Sequence, residues 1–402
     1  MTGWRAGVAK VAITPPQSIW MAGYAARKKP SEGVRQDIYA KALALEDGRG
    51  TLGVLVTADL IGFRRALEEK IAERCRREHG LERDRLILNA SHTHSGPVVG
   101  QPPSYATLDA RQTEIIERYT AGLMEKVVAL VGQSIRGLAP AVLAFEQGLA
   151  GIAVNRRRAR AGMRRLPAPV DHDVPVLSVR AADGSLRAVA AGYACHATSL
   201  GDYLISGDWP GFAQHEIERA HPGAVAMFVQ GCGADANPLP RYQGSDPGLI
   251  GHAADLPRMY GKIFGAAVEL VLQSKMKSIG GGLATAFATV DLPFQGVRAP
   301  GYPYPVQVWR FGRELKLIAL GGEVTVDYSL RLKAQHGWDD TWVAAYSNDV
   351  FGYVPSLRVL KEGGYEGGEA NRSLPGRFSA AVEEIIVEKV AALVEQTGGG
   401  VA

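Results

Sequence analysis

Through its first third the chain alternates short β-rich runs with longer helical ones, and no other feature restricts its fold so strongly. Val8–Ile13 and Thr51–Thr57 read as strands, Arg65–His79 as an amphipathic helix, Leu86–Ser91 as a strand and Thr113–Leu130 as a long helix. Parallel strands need helical crossovers, so this rhythm predicts an α/β fold: layered mixed β-sheets flanked by helices, with functional residues at strand ends. The second third repeats the theme. Strands are expected at Val174–Val179, Ala188–Ala194 and Ala224–Val229, a helix opens at Asp208-Trp209-Pro210, and another covers Pro257–Leu272. Beyond the break at Gly280-Gly281-Gly282, Leu283–Leu320 is β-rich, helices are expected at Val326–His336 and Ser379–Val394, and the tail 397–402 is expected to fray. With 402 residues, 46% of them hydrophobic, the chain can bury a core the size of one large domain over 1–402, and no repeat or linker divides it.

Charge and cysteine content exclude several functions. The 45 basic and 41 acidic residues nearly balance, so the net +4 gives no reason to expect nucleic acid. The densest basic stretch, Asn155-Arg156-Arg157-Arg158-Ala159-Arg160 followed by Arg164 and Arg165, reads in part as a solvated loop face. Cys75, Cys195 and Cys232 are too few and too dispersed for a disulfide framework or a thiolate metal knuckle, and they suit a reducing compartment. No stretch reads as a signal peptide or as 18 consecutive apolar residues, so a cytoplasmic protein without stable membrane association is expected; its oligomeric state is open. Phosphate-binding, dinucleotide-binding and serine-hydrolase elbow motifs are lacking, and His215-Glu216-Ile217-Glu218-Arg219 has arginine where a metal-binding helix needs its second histidine.

Chemistry concentrates where strands end. Leu86-Ile87-Leu88-Asn89-Ala90-Ser91 runs into His92-Thr93-His94, and residues i and i+2 of a strand share a face. Two such imidazoles can bind zinc together, or one can bind while the other moves a proton. Taken alone, an isolated His-x-His is more often a pair of unconnected histidines. A second apolar run, Ala188–Ala194, leads into Cys195-His196, and a third, Leu317–Leu320, leads through Gly321-Gly322 to Glu323. Two histidines and a carboxylate would form the nitrogen and oxygen set of a catalytic zinc.

These residues lie among eight landmarks in order: Val11–Pro16, Met21–Ala25, His92–Pro97, Asn155-Arg156, Cys195–Ser199, Gly207–Gly211, Gly322–Thr325 and Ser347–Val354. In this order the chain resembles the catalytic region of the neutral/alkaline non-lysosomal ceramidase family over most of its length. The resemblance implies that zinc is held by His92, His196, Glu323 and Tyr353. It also implies that His94 works beside the metal and that Arg156 and Tyr365 face the substrate. The family's catalytic serine aligns with Asn237, an amide that cannot accept an acyl group but can orient substrate, and the expectation is a single domain without the family's C-terminal β-sandwich. The expected function is therefore hydrolysis of the amide (C–N) bond of a small soluble N-acyl substrate by a zinc-activated water. Two alternatives stay open: a metal-dependent conversion of an ester, phosphoester or sugar, and a relative that binds ligand without turnover.

Overall fold

The computed structural model describes residues 3–101, 108–159, 168–239 and 255–399. Arg160, Arg164, Arg165 and residues 240–254 lie outside them.

A nine-stranded sheet organises the chain. Its strands are β1 (Trp4–Ala12), β2 (Tyr39–Glu46), β3 (Leu52–Ala58), β4 (Leu86–Ala90), β5 (Ala139–Leu149), β6 (Asp173–Ala181), β7 (Leu186–Tyr193) and β8 (Val225–Gln230), in the order β8-β7-β6-β5-β1-β2-β3-β4, with the two-residue strand Lys277–Ser278 added to β5. Only β3–β4 and β7–β8 pair in parallel; the others are antiparallel. The βαβ rhythm is thus realised twice, through α1 (Arg65–His79) between β3 and β4 and α3 (Asp208–Ala220) between β7 and β8. Just ahead of each unit a tight reversal closes β2–β3 or β6–β7, helped by Gly50 (φ 83°) and Gly184 (φ 85°), and a hairpin makes its strands antiparallel.

Four layers result. Along β2, Ala40, Ala42 and Ala44 face α1 and α2 (Ala110–Arg136), while Leu43 and Leu45 point the other way. Small residues on the helix side let α2 approach closely, and burial on both faces explains why β3 and β4 are mostly apolar, with Thr57 and Asn89 their polar residues. Helix α1 presents Leu67, Ile71 and Cys75 at four-residue spacing and stops at Gly80 (φ 63°), where the Gly80 N–H caps the Arg76 carbonyl and the Leu81 N–H the Cys75 carbonyl. Over the other half of that face, Trp209 and Ile217 of α3 and Phe264 and Val268 of α4 (Leu256–Gln273) pack on β6, β7 and β8.

The opposite face meets a second sheet of β9 (Leu283–Leu292), β10 (Tyr302–Phe311), β11 (Leu315–Leu320) and β13 (Thr341–Ala344), where Trp309, Phe311, Leu317 and Trp342 pack on Leu43, Leu55, Ile87 and Leu177. Between β11 and β13 lie the two-residue strand β12 (Glu323–Val324), which pairs with β14 (Tyr353–Val354), and helix α5 (Val326–His336). Helix α5 and the terminal helix α7 (Val382–Gly398) cover the outer face of the second sheet. Helix α6 (Leu357–Glu362) precedes a five-residue π-helical turn, Tyr365–Glu369. Thr397 differs from expectation: its hydroxyl donates to Leu393 and Val394 carbonyls, so helix α7 continues through it.

Candidate metal centre and active site

Strands β4 and β8 are the outermost in the hydrogen-bonded order, yet they meet at one point through Asn89. Its Oδ1 accepts the Gln230 N–H at 2.9 Å, and its Nδ2 donates to the Ala345 carbonyl at 2.7 Å and to Ser347 Oγ at 3.1 Å. This fully buried amide joins the chain leading to His92, the turn that supports His196 and the loop holding Tyr346. A polar residue inside an apolar strand is the signal that sequence reasoning passed over.

Strand alternation does not bring the histidines together. β4 ends at Ala90, and His92 has φ 57°, a left-handed backbone that costs a non-glycine residue about 1–2 kcal/mol. Asp208 (φ 53°), Tyr346 (φ 52°) and Asn348 (φ 66°) are the other non-glycine residues in this region among those described. Asp208 and Tyr346 both lie against the histidine loops, and such strain clusters at functional sites. The reversal at His92 still sets its ring 4.9 Å from that of His94, and the His94 N–H is fixed by the Ala197 carbonyl at 3.1 Å. Gly23 (φ 95°) leaves room for His94: a Cβ there would lie 2.5 Å from the ring.

His196 lies in a loop three residues beyond β7. Trp209 Nε1 donates to its carbonyl at 2.9 Å. The fully buried Asp208 carboxylate accepts the Ser199 and Leu200 N–H groups at 3.2 and 3.0 Å, together with the Ser199 hydroxyl. Those bonds account for the Gly207–Gly211 landmark, because the start of α3 holds the His196 loop in place.

Four predicted groups converge. His92 Nε2 lies 3.2 Å and His196 Nε2 3.3 Å from the same oxygen, Glu323 Oε2. The other ring nitrogen of each faces a carbonyl, Ile61 at 2.6 Å for His92 and Gly233 at 2.7 Å for His196, which assigns the proton to Nδ1 and turns Nε2 inward. Tyr353 stands opposite Glu323 in the β12–β14 register. Its hydroxyl accepts from Arg156 Nη2 at 2.9 Å, and Arg156 Nη1 reaches Asn237 Oδ1 at 3.4 Å. Tyr365, 44% exposed, places its ring 5.3 Å from that of Tyr353 at the open side. All eight residues singled out in the sequence therefore belong to one region.

Electrostatics sharpen the arrangement. Burial, reinforced by the Arg156 charge, pulls the His196 imidazole down to about 4. Burial and the neighbouring His92 and His196 hold His94 well below the usual histidine range. Burial pushes the Glu323 carboxyl up, but His92 and His196 outweigh it and keep it well below the carboxylate range. Burial raises the Tyr353 phenol, opposed by Arg156. The unprotonated Nε2 of His196 thus faces a carboxylate. His196 Nε2, Glu323 Oε2 and both ring nitrogens of His94 lack hydrogen-bond partners among the described residues.

An unpaired buried acceptor is costly, and this set of acceptors fits a cation. Donor atoms of His92, His94 and His196 lie within 4.8 Å of one another, the spread expected around a single ion. Imidazole with carboxylate and phenol oxygen suits zinc better than magnesium or calcium. Sequence reasoning missed Tyr346, whose ring lies 4.5 Å from that of His92 and whose buried hydroxyl also lacks a hydrogen-bond partner among the described residues. It also missed Glu366, which accepts from Arg156 Nε at 2.8 Å.

Comparison with known proteins gives a consistent result. Residues 4–238 match the family model described as neutral/alkaline non-lysosomal ceramidase, N-terminal. Neutral ceramidase of Pseudomonas aeruginosa is 27% identical over 323 residues, covering 75% of this chain and 47% of that protein. The neutral ceramidase of Mycobacterium tuberculosis is 25% identical, covering 54% and 37%. That of Drosophila melanogaster is 23% identical, covering 63% and 38%. The chain spans about half or less of the length of these relatives. The crystal structure of the Pseudomonas aeruginosa neutral ceramidase superposes with a TM-score of 0.80 at 20% identity, over 98% of this chain and 75% of the other. A ceramidase complexed with C2 gives 0.79 at 19% identity, over 98% and 76%. The layered mixed α/β fold is therefore shared with them.

Proposed function

The chain belongs to the neutral/alkaline non-lysosomal ceramidase family, and from that membership and the site geometry we propose that it is a zinc-dependent hydrolase cleaving the amide bond of an N-acyl substrate. The observation that carries this reading is the convergence of His92 and His196 Nε2 on one Glu323 oxygen, with Tyr353 in register beside it. His92, His196, Glu323 and Tyr353 would hold the ion. Bound zinc would supply Lewis-acid polarisation of the scissile carbonyl and acidify a water at neutral pH.

The protein's own groups would do the rest. His94, neutral and without hydrogen bonds from its ring among the described residues, can take a proton from the attacking water and deliver it to the leaving nitrogen as the C–N bond breaks. Arg156 holds a permanent charge beside the position where the carbonyl oxygen becomes negative, and Tyr365 adds a hydroxyl at the open side. Asn237 spends its carbonyl on Arg156, which leaves its amide N–H₂ to orient the substrate. Because the relatives are named neutral ceramidases, ceramide is the first substrate to assay. Soluble short-chain N-acyl amides are the second, since an amide stands at Asn237.

The test joins metal analysis with turnover. Purified protein should carry about one zinc per chain, as expected for a mononuclear catalytic site. His92→Ala should lose that zinc and the release of amine from N-acyl amides together. A wild-type protein that neither contains nor takes up zinc would sink the reading.

A further inference from the structure

Glu366 occupies a position that the proposed chemistry does not use. Its side chain is fully buried, and each oxygen accepts from a different arginine: Oε1 from Arg156 Nε at 2.8 Å and Oε2 from Arg157 Nη1 at 2.7 Å. The Arg157 end is anchored independently, because Arg157 Nε and Nη2 reach Glu362 Oε2 at 3.1 and 2.9 Å and Nη2 also reaches the Gly363 carbonyl at 2.9 Å. Arg156 has no such second anchor on its Nε side among the described residues. Its other side-chain hydrogen bonds run from Nη2 to the Tyr353 hydroxyl and from Nη1 to Asn237, both at the site.

A guanidinium is planar, so fixing Nε fixes where both Nη groups point. Glu366 also directly follows Tyr365. The same turn that brings its carboxylate to Arg156 places the Tyr365 ring 5.8 Å from the Arg156 guanidinium carbon. The carboxylate therefore sets one substrate-facing group and its own neighbour supplies the other.

We propose that Glu366 is a positioning residue that acts through Arg156: anchored on Arg157, it holds the Arg156 guanidinium aimed at the Tyr353 hydroxyl and Asn237, and thereby aligns it with Tyr365. The catalytic part of this assignment rests on the hydrolase reading; the hold on Arg156 does not.

The experiment has two arms. In metal-free protein, the Arg156 Nε–H resonance, assigned by its loss in Arg156→Lys, should exchange slowly in wild type and at least about tenfold faster in Glu366→Gln, where an amide cannot accept from both arginines. In the zinc-loaded enzyme, Glu366→Gln should lower kcat for an N-acyl amide by roughly 10- to 100-fold, as loss of an orienting partner does, with little change in KM. That loss should disappear when Arg156→Ala is already present, because the two residues act as a unit. Glu366→Asp keeps the charge but cannot span both guanidiniums, and should fall between wild type and Gln in both arms; it decides the matter if the Gln variant does not fold. Unchanged Arg156 exchange in these variants, or an equal loss in the Arg156→Ala background, overturns the proposal. Failure of wild type to hydrolyse any amide removes the second arm alone, and the exchange arm still decides whether Glu366 holds Arg156.

Discussion

Asp235 gives the most direct physical test of how the site loop is built. It is fully buried; its Oδ1 accepts the Val326 N–H and its Oδ2 the Asn155 amide, both at 2.9 Å, and its backbone carbonyl accepts the Arg156 N–H at 2.7 Å. Burial dominates these favourable bonds and pushes the carboxyl from 3.8 up to about 6. The sign follows from proton binding. Below about 3.8 the group is protonated whether folded or unfolded, and its contribution to stability is fully present. As pH rises through about 6 the folded protein must give up a proton that the unfolded chain has already lost, and that contribution disappears. At about 1.4 kcal/mol per pH unit of separation, the loss totals about 3 kcal/mol. The amide introduced by Asp235→Asn cannot titrate, so urea unfolding of metal-free wild type and variant between pH 4 and 7.5 isolates the effect. The wild-type advantage over the variant should shrink by about 2.5 kcal/mol across that range, since at pH 4 the unfolded chain has already lost part of the proton. A difference that stays flat, or grows with pH, would refute the idea that burial governs this carboxyl.

Two further predictions concern the histidine pair. His94→Gln should retain zinc, measured by chelator competition, while kcat falls by roughly 10²- to 10⁴-fold, the usual contribution of general acid–base catalysis; loss of zinc with the side chain would make His94 a ligand instead. Gly23→Ala places a Cβ 2.5–2.7 Å from three His94 atoms at a backbone φ of 95°. Displacement of His94 by about 1 Å should cost on the order of 10²-fold in kcat with zinc content unchanged, and full activity in that variant would show that His94 need not stay where Gly23 lets it sit.

The sequence was most legible where structure is local, and least where a residue acts on partners far away in the chain. Leu86–Ala90 and Arg65–His79 could be read directly because apolar spacing and a terminal glycine encode them. Tyr39–Glu46 could not, since alanine, lysine and leucine favour helix; it is a strand because Leu43 and Leu45 have a second sheet to meet. At the site, His92, His196 and Glu323 were visible as polar residues following apolar runs. The reason given for the His92–His94 pair, strand alternation, is replaced by the left-handed turn at His92, and the strand before it is tied by Asn89 to Gln230, 141 residues away, and to Ala345 and Ser347, more than 250 away. Glu366 is harder still to find, because a glutamate in a Gly-rich stretch reads as solvated until Arg156 and Arg157, about 210 residues earlier, are packed on it. A ligand atom can be recognised by its type, but the residue that aims it is defined only by the fold, and for that reason a substitution at Glu366 can separate positioning from chemistry where one at His92 removes both.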